Sequence, residues 1–403
     1  MTSTADPSQQ VPDYPMPRAA GCPFDPPPPL RELQRDRPVS RVRIWDGSTP
    51  WLVTRHADQR AVLRDPRVSA DMTHPDYPGQ APGRGKSLSF IGMDDPEHAR
   101  LRRMVGSAFA IKNVEAMRPA VQRVVDGLLD ELAAGPNPVD LVRAFALPMP
   151  SLVICDLLGV PYDDHDFFQD NTRVLINRGS TPDERTAAMG NLGRYLRGLV
   201  EAKVDHPRDD LLSALGKRVP AGELSVDEVT DMAVLLLIAG HETTANMIGL
   251  STLLLLRNPG QLALLRDSDD PGVARRAVDE MLRYLTITHG GRRRLALADL
   301  EVGGQLIKAG EGIVLPNEIG NRDPEAFPDP DRVDITRPAR HHLAFGFGVH
   351  QCLGQPLARL ELEVVYRSLF RRFPTLALAA DFDEVPFKHD GFVYGVYELP
   401  VTW

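Results

Sequence analysis

Cys352 lies in a glycine-punctuated loop, Phe345-Gly-Phe-Gly-Val-His-Gln-Cys-Leu-Gly354, that leads directly into an amphipathic segment, residues 355–372. Glycines let a backbone approach a large flat partner closely, and the two phenylalanines add apolar faces. Backbone N–H groups at the start of the next helix stabilise a thiolate, so we expect Cys352 to be deprotonated readily and to bind a metal. A lone cysteine before a helix is more often an inert buried residue, so the surrounding pattern must decide. We expect positive φ at three glycines of this loop: Gly346, Gly348 and Gly354.

A second unusual cluster, Ala239-Gly-His-Glu-Thr-Thr244, lies inside the long helical pattern from Ser225 to Arg257. Glycine is costly in a helix interior, and an acid beside two threonines is unusual there. The Thr243 hydroxyl can bond back to the carbonyl of Ala239 and loosen the helix, which would admit a small ligand or water. A glycine in a buried helix can also simply permit close packing, so this segment alone leaves both explanations open.

Two pairs of charged or titratable residues share helix faces. Glu280 and Arg283 stand three residues apart, so they can pair with each other. His98 and Arg102 stand four apart, so both can reach one anionic group. On a surface, the first pair would stabilise the protein by only a few tenths of a kcal/mol. A solvated charged face is the ordinary explanation of the second pair.

Length and composition exclude several classes of protein. The 403 residues are 42% apolar and 25% charged, as is typical of a globular protein with a large core. The net charge of −9 and the scattered basic residues provide no cationic surface for nucleic acid. The cysteines are distant and odd in number, which argues against a disulfide framework or a zinc site and fits the cytoplasm: Cys22, Cys155 and Cys352.

The chain divides into a proline-rich leader, residues 1–37, and one domain, residues 38–403. No linker, charge block or internal repeat interrupts the second part. The longest apolar run, Met232 to Ala239, is too short to cross a bilayer, so we expect no membrane partner.

Apolar periodicity predicts the elements. A β-hairpin is expected at residues 39–44 and 51–54, and most of residues 56–285 have the three- and four-residue apolar spacing of helices. β-Character returns at residues 292–314, and residues 316–343 form a long irregular connection. The pattern predicts a mainly α fold with small β-sheets at one side.

The pattern Phe345-x-x-Gly348-x-x-x-Cys352-x-Gly354, continued by Leu357-Ala-Arg359, resembles the haem-thiolate signature of the cytochromes P450. The signature is complete, and further family motifs follow in the correct order from about Pro38 to Trp403. This resemblance implies the cytochrome P450 fold, with a large helical lobe and a smaller β-rich lobe.

The resemblance also implies a cofactor site. Cys352 would be the axial thiolate ligand of haem b, in the loop that ends at Gly354. Four groups would bind the two haem propionates: His98, Arg102, Arg294 and His350. Arg292 and Arg293 stand beside Arg294, so a shift of register could substitute either of them.

Further roles follow from the same resemblance. Glu242 and Thr243 match the acid–threonine pair that delivers protons for dioxygen activation. Glu280 and Arg283 match a buried structural pair, and Arg332 in the irregular connection matches its third partner.

The implied activity is that of a soluble bacterial haem-thiolate monooxygenase. It would hydroxylate or epoxidise a hydrophobic small molecule such as a polyketide, a terpenoid or a drug-like secondary metabolite, using O2. No flavin or iron–sulfur domain is visible, so we expect a ferredoxin and a ferredoxin reductase as electron donors. The expected docking face carries four basic residues: Arg103, Lys112, Arg359 and Arg367.

The substrate pocket is expected to draw on four segments: residues 71–91, 171–193, 235–243 and 287–291. His289 and Arg84 could contact a polar group of the substrate, whereas His74 is more simply explained as a solvated loop residue.

Three alternatives differ from this interpretation in the residues they need. A haem-thiolate sensor would need Cys352 but not the Glu242–Thr243 pair, and a non-catalytic binding scaffold would have a broken loop or no thiolate. A peroxide-driven or non-hydroxylating enzyme often lacks the acid–threonine pair.

Overall fold

The computed structural model describes residues 11–19, 21–79 and 89–403. Its helices, in chain order, are α1 (Pro28–Asp36), α2 (His56–Arg64), α3 (Glu97–Gly106), α4 (Ile111–Ala116), α5 (Arg118–Ala134), α6 (Pro148–Leu158), α7 (His165–Ile176), α8 (Pro182–Asp205), α9 (Leu211–Gly216), α10 (Val226–Leu256), α11 (Pro259–Asp267), α12 (Pro271–Tyr284), α13 (Asn317–Gly320) and α14 (Gln355–Arg372).

Helix α10 is the central element of the fold. Its start is set by a capping box, in which the Ser225 hydroxyl accepts from the Glu228 N–H at 3.1 Å and the Glu228 carboxylate accepts from the Ser225 N–H at 2.8 Å. The helix is apolar on nearly all sides because it packs against α6, α8 and α14. These surrounding helices hold α10 in a fixed position in the core.

The strands are short and lie mostly near the two ends of the helical part. They are β1 (Val39–Arg41), β2 (Trp51–Val53), β3 (Val68–Ser69), β4 (Val139–Asp140), β5 (Arg292–Ala296), β6 (Leu300–Val302), β7 (Gln305–Ile307), β8 (Gly312–Leu315), β9 (Ala377–Leu378) and β10 (Pro400–Thr402). They form a five-stranded sheet in the order β1-β2-β8-β5-β3, a three-stranded sheet in the order β4-β10-β9, and the hairpin β6-β7.

Alternation along the five-stranded sheet builds two apolar layers. On β8, Ile313 and Leu315 face a cluster with α2, whereas Val314 faces a second cluster with Leu30 and Leu33 of α1. The two faces of the sheet are therefore covered by different parts of the chain. The predicted hairpin, the helical region and the return of β-structure at residues 292–314 are confirmed, and so is the mainly α fold class with small β-sheets.

The leader and the body share a core. Tyr14, Met16 and Leu30 are buried in one cluster with Val42 and other residues of the body. The described part of residues 1–37 therefore packs as an integral layer of the fold and includes helix α1, because its apolar side chains cover one face of the sheet. Residues 1–10 and 20 of the predicted leader lie outside the described residues.

Among the described residues, one helix, α10, is long and apolar enough to cross a membrane by length and composition. However, 78% of its most apolar 18-residue window is buried inside the protein. Such burial is typical of a core helix. The short run Met232 to Ala239 thus understated the apolar length of this helix.

Candidate active site

The Cys352 loop is a tight cradle between α2 and α14. Gly346 and Gly348 adopt positive φ values of 71° and 74°. A Cβ at Gly348 would overlap the carbonyl of Leu63 at the end of α2, so only glycine permits this approach. The loop is closed by a hydrogen bond from the Cys352 N–H to the Phe345 carbonyl at 2.8 Å.

Gly354 does not adopt the positive φ that the sequence predicted. Its φ is −76°, because it already lies at the N-terminal boundary of α14. An added Cβ would lie 4.0 Å from Cys352 Sγ, which is an ordinary van der Waals distance. Neither the backbone conformation nor the space beside the sulfur therefore requires glycine at position 354.

Cys352 keeps solvent-accessible surface although protein encloses it, as expected for a side chain at the floor of a cavity. Burial raises the pKa of its thiol, against the opposing effects of the Gly354 and Gln355 N–H groups and of the Arg292 and Arg102 guanidinium groups. The prediction of ready deprotonation is therefore wrong for the protein alone, because desolvation outweighs the helix N-terminus. A bound metal cation would supply the missing charge, since a coordinating thiol is deprotonated by the metal.

Three arginines and two histidines surround this cysteine. The imidazole rings of His98 and His350 lie 4.0 Å apart, centroid to centroid. Burial lowers the pKa of His350 to about 3, and His98, Arg294 and Arg102 lower it further. The predicted propionate ligands are therefore brought together: His98, Arg102, Arg294 and His350.

Strand β5 decides which arginines join them. Its side chains alternate, so Arg292 and Arg294 share a face, while Arg293 points to the other face, toward the Gly79 carbonyl. Arg292 donates to the Leu343 and Ala344 carbonyls at 3.2 and 2.8 Å and to the side chain of Asn317. Arg292 thus accompanies Arg294 toward the cavity and does not replace it.

The arginines of this cluster lack anionic partners among the described residues. Arg102 donates to the Gln351 carbonyl, and Arg294 donates to the Arg293 carbonyl at 2.7 Å. Within the described residues, no carboxylate forms an ion pair with Arg102, Arg292 or Arg294. The His98 Nδ1–H donates to the Asp95 carboxylate at 2.9 Å, whereas the buried Nε2 has no partner. Such a set of unmatched donors fits a ligand with carboxylates, as haem has.

On α10, the predicted groove has the expected hydrogen bond but no helix break. Thr243 Oγ1 donates to the Ala239 carbonyl at 2.7 Å, and the helix is continuous through this turn. Ala239 is exposed and Thr243 is half-buried, whereas most neighbouring residues are buried. These two positions share one helix face, so that face borders an internal space.

Gly240 has the packing role that the sequence left open. A Cβ there would lie 2.7 Å from the side chain of Ile154 on α6, so the glycine permits close contact between the helices. His241 is buried, and its Nδ1–H donates to the Leu237 carbonyl at 2.7 Å.

Glu242 is buried and held by two groups. Its Oε2 accepts from Asn246 Nδ2 at 3.1 Å and lies 3.9 Å from Lys388 Nζ near the C-terminus. Burial lowers the pKa of Lys388, and the neighbouring Glu242 opposes that effect.

The Glu280–Arg283 pair is fully buried, but its third partner is not Arg332. Arg283 donates to both carboxylate oxygens of Glu280 at 2.7 and 2.8 Å. The second arginine on Glu280 is Arg337, at 3.4 Å, whereas the Arg332 side chain is 68% exposed and contributes only its carbonyl. The prediction for Arg332 is wrong because the irregular connection turns its side chain outward and brings Arg337 inward.

Arg359 also differs from its predicted place on a docking face. It forms an ion pair with Asp279 and a contact of 3.2 Å with His342 Nε2, and burial lowers its pKa to about 10. Arg103 and Lys112 are exposed, and Arg367 is half-buried.

Two of the predicted pocket segments meet at the C-terminal segment. Asn177 pairs with Gly391, and Thr288 pairs with Val393. The His289 carbonyl accepts from Arg178 at 3.1 Å, and burial lowers the pKa of the His289 ring to about 4. Arg84 and residues 80–88 lie outside the described residues, and His74 lies away from this cluster, beside Asp76.

Sequence reasoning missed several residues of the site. Strand alternation could have paired Arg292 with Arg294, and the i, i+4 spacing on α10 could have joined Asn246 to Glu242. No local signal connects Lys388 with Glu242 or Arg337 with Glu280, because both contacts depend on the path of irregular segments.

Comparisons with known proteins agree with this geometry. The family model described as Cytochrome P450 matches residues 195–394. Cytochrome P450 GfsF of Streptomyces halstedii is 55% identical over 100% of this chain and 99% of its own length. Pentalenic acid synthase of Streptomyces avermitilis is 48% identical over 96% of each chain.

A solved structure shows the same fold. The mycinamicin VIII C21 methyl hydroxylase of Micromonospora griseorubida, bound to mycinamicin VIII, has a TM-score of 0.91 at 43% identity, over 98% of this chain and 100% of its own. The chain therefore belongs to the cytochrome P450 family of monooxygenases, whose cofactor is haem b with an axial cysteine thiolate.

Proposed function

We propose that Cys352 is the axial ligand and that the donors around it bind the haem propionates. His98, Arg102, Arg294 and His350 have this role in the proposal, with Arg292 as a fifth member. Two observations carry the proposal together: the three arginines pair with no carboxylate of the described residues, and the buried Nε2 of His98 has no hydrogen-bond partner. When bound, the haem supplies the redox chemistry of O2 activation.

Glu242 and Thr243 are proposed as the catalytic pair. Glu242 supplies the proton, and the Thr243 hydroxyl faces the internal space on the same helix face as Ala239. A positioned acid at such a site accelerates a proton-dependent step by about 10²–10⁴-fold. The Thr243 hydroxyl has one proton, which it donates to the Ala239 carbonyl. It can donate that proton to a ligand only after this hydrogen bond breaks.

The substrate is proposed to be a hydrophobic secondary metabolite of the polyketide or terpenoid kind, which the enzyme hydroxylates or epoxidises. Two relatives support this class by their names, which refer to mycinamicin VIII and to pentalenic acid. Two pocket segments meet the C-terminal segment near Gly391, where the exposed aromatic side chain of Phe392 offers an apolar face to such a ligand.

A ferredoxin, reduced by its reductase, is proposed as the electron donor, and the cytoplasm as the location. The Cys352 loop reaches the surface at Val349, which is 60% exposed. Arg103 and Lys112 are exposed basic residues of the segments beside it, and acidic ferredoxin surfaces would suit them. Arg359 is excluded from this face because Asp279 already pairs with it.

The test is reconstituted turnover with a ferredoxin, its reductase and ¹⁸O2. We would first select ligands from macrolide and terpenoid collections by their substrate-induced spectral shifts. The proposal expects a product that carries one ¹⁸O atom, and turnover that depends on the ferredoxin. A product without ¹⁸O, or turnover with peroxide but none with ferredoxin, would contradict it.

Charge-reversal variants test the proposed ferredoxin docking surface separately. Arg103→Glu and Lys112→Glu should slow reduction by the ferredoxin and leave substrate binding unchanged. Lys308→Glu, an exposed change on the β6–β7 hairpin, serves as the control. Equal reduction rates in all three proteins would reject this docking surface.

A further inference from the structure

The two carboxylate oxygens of Glu242 have different surroundings. Oε2 accepts from Asn246 and lies 3.9 Å from the ammonium group of Lys388, with only 7% and 12% of the Glu242 and Lys388 side chains exposed. Oε1 forms no hydrogen bond with any described residue. One oxygen is therefore fixed by the protein, and the other is available for exchange.

Lys388 is presented by a hairpin that packs against α10. In this C-terminal hairpin, residues 386–397, Lys388 N–H donates to the Gly395 carbonyl at 2.9 Å and Tyr397 N–H donates to the Pro386 carbonyl at 2.8 Å. A Cβ at Gly395 would overlap the side chain of Asn246, so only glycine allows the hairpin to approach this closely. The hairpin thus brings Lys388 to the same carboxylate oxygen that Asn246 contacts from within α10.

The charged groups near Lys388 come from three elements. Glu242 lies on α10, Arg173 on α7, and Asp390 on the hairpin itself. Arg173 is exposed and pairs with Asp170 at 3.1 Å, and Asp390 accepts from the Tyr397 hydroxyl at 2.6 Å. The ammonium group also lies 5.6 Å from the Tyr397 ring. Glu242 is therefore the carboxylate that Lys388 faces at ion-pair distance.

We propose that Lys388 is a positioning residue for Glu242: it holds Oε2 in place, so that Oε1 takes up and releases the proton. The inference rests on the proposed function of Glu242. Without the ammonium group, a buried carboxylate would lose its counter-charge and retain its proton. Glu242 would then donate that proton more slowly, and reducing equivalents would be lost to side reactions.

The main test compares Lys388→Met with Lys388→Arg. We expect Lys388→Met to lower kcat and the yield of product per electron pair by about tenfold, at the lower end of the range for general acids. It should also raise the solvent isotope effect and leave KM unchanged. Lys388→Arg keeps the charge and should stay within about twofold of the wild type.

The pH profile gives a second signature. Burial lowers the pKa of Lys388, so wild-type kcat should decline at alkaline pH earlier than an exposed lysine would allow. Arginine stays charged, so Lys388→Arg should lack this decline. Lys388→Met should show the low rate throughout, without an alkaline limb.

An infrared measurement reads the carboxyl group without turnover. At neutral pH, Lys388→Met should show a protonated carboxyl band that Glu242→Gln removes, and wild type should lack it. The control is Lys203→Met, which breaks another buried ion pair, with Asp210. It should lower stability and leave coupling, the isotope effect and this band unchanged.

The outcomes separate this inference from the proposed function. Equal coupling in Lys388→Met and wild type, no carboxyl band, or a defect in Lys388→Arg as large as in Lys388→Met would overturn the positioning role. In each of these cases, a carbon monoxide spectrum typical of thiolate-ligated haem in the wild type would still support the proposed haem site. Loss of that spectrum in wild type would instead reject the haem site itself.

Discussion

Around Arg283 every guanidinium nitrogen meets an oxygen of the chain, whereas around Cys352 the arginines meet only backbone, amide and hydroxyl oxygens. The Arg283 nitrogens donate to Glu280 and to the Asn321 and Pro330 carbonyls. At the other site, His98 Nε2 is buried without a partner, and no described carboxylate pairs with the three arginines. Both regions bury positive charge, but only the first neutralises it.

This difference distinguishes a structural network from a ligand site. A closed network stabilises the fold and tolerates no loss of a member, because the remaining charge would be stranded. An open cluster is costly in the protein alone and becomes favourable when an anionic ligand binds. The two regions should therefore respond in opposite ways to the removal of an arginine.

The largest effect is expected at the centre of the open cluster. Cys352→Ala should reduce monooxygenase turnover by about a thousandfold or more, because the thiolate donation that the haem chemistry needs is lost. Turnover with the reconstituted donors measures this effect. Cys155→Ala is the matched control, since that cysteine is buried in the helical core, away from the site. Retained turnover in Cys352→Ala would contradict the site.

Removal of an arginine from the closed network around Glu280 should cause a large loss of stability. Arg283→Ala should lower the free energy of unfolding by about 3–5 kcal/mol, because Glu280 would be left buried with the single, longer contact to Arg337 at 3.4 Å in place of its two-pronged partner. Denaturant unfolding measures it. Arg332→Ala should change stability by less than about 0.5 kcal/mol, since its side chain is 68% exposed. Equal losses of stability in Arg283→Ala and Arg332→Ala would contradict the assignment of Arg337, and not Arg332, as the second arginine on Glu280.

Glu361 provides the reverse case, because it is a buried carboxyl group without an arginine partner. Burial raises the pKa of Glu361 from 4.5 to about 8, opposed only by its hydrogen bond with Thr244. The folded protein therefore keeps this proton between pH 4.5 and 8 while the unfolded chain releases it, so this contribution to stability is lost as pH rises through that range.

Glu361→Gln should remove this dependence. The variant should match wild type below pH 4.5 and exceed its unfolding free energy by about 4 kcal/mol at pH 8 and above. Unfolding curves across this range measure the difference. A stability difference that is independent of pH would show that Glu361 is already ionised in the folded protein.

The smallest effect is expected for a peripheral member of the open cluster. Arg294→Gln should weaken haem binding by about 30-fold, or about 2 kcal/mol, through the loss of a charged partner for a carboxylate. The apoprotein should not lose stability, because burial already lowers the pKa of Arg294 and no carboxylate pairs with it. Haem transfer to a scavenger and unfolding of the apoprotein measure the two quantities.

Its control lies on the same strand. Arg293→Gln should leave haem affinity unchanged, since Arg293 points to the opposite face of β5. A loss of apoprotein stability in Arg294→Gln comparable with that in Arg283→Ala would remove the distinction between the two regions.

The features of this protein that could be predicted are those that depend on residues close together in the sequence. The Cys352 loop and the Thr243–Ala239 hydrogen bond follow from spacing within one segment. The helices and the short strands follow from apolar periodicity in the same way. Each of these features depends on neighbours along the chain, so the sequence contains the necessary signal.

The parts that could not be predicted depend on the paths of irregular segments. Arg332 and Arg337 both follow the same connection, and only its turns decide which side chain reaches Glu280. Lys388 approaches Glu242 because a hairpin folds back across the chain. The pKa of the Cys352 thiol was misjudged because a helix N-terminus is visible in sequence whereas desolvation is not.

The most direct test of the account is the carbon monoxide difference spectrum of the dithionite-reduced protein. The account predicts a Soret band at the long wavelength of thiolate-ligated haem. A band at the position of histidine-ligated haem, or no haem absorbance at all, would contradict the claim that the open cluster around Cys352 is a haem-thiolate site.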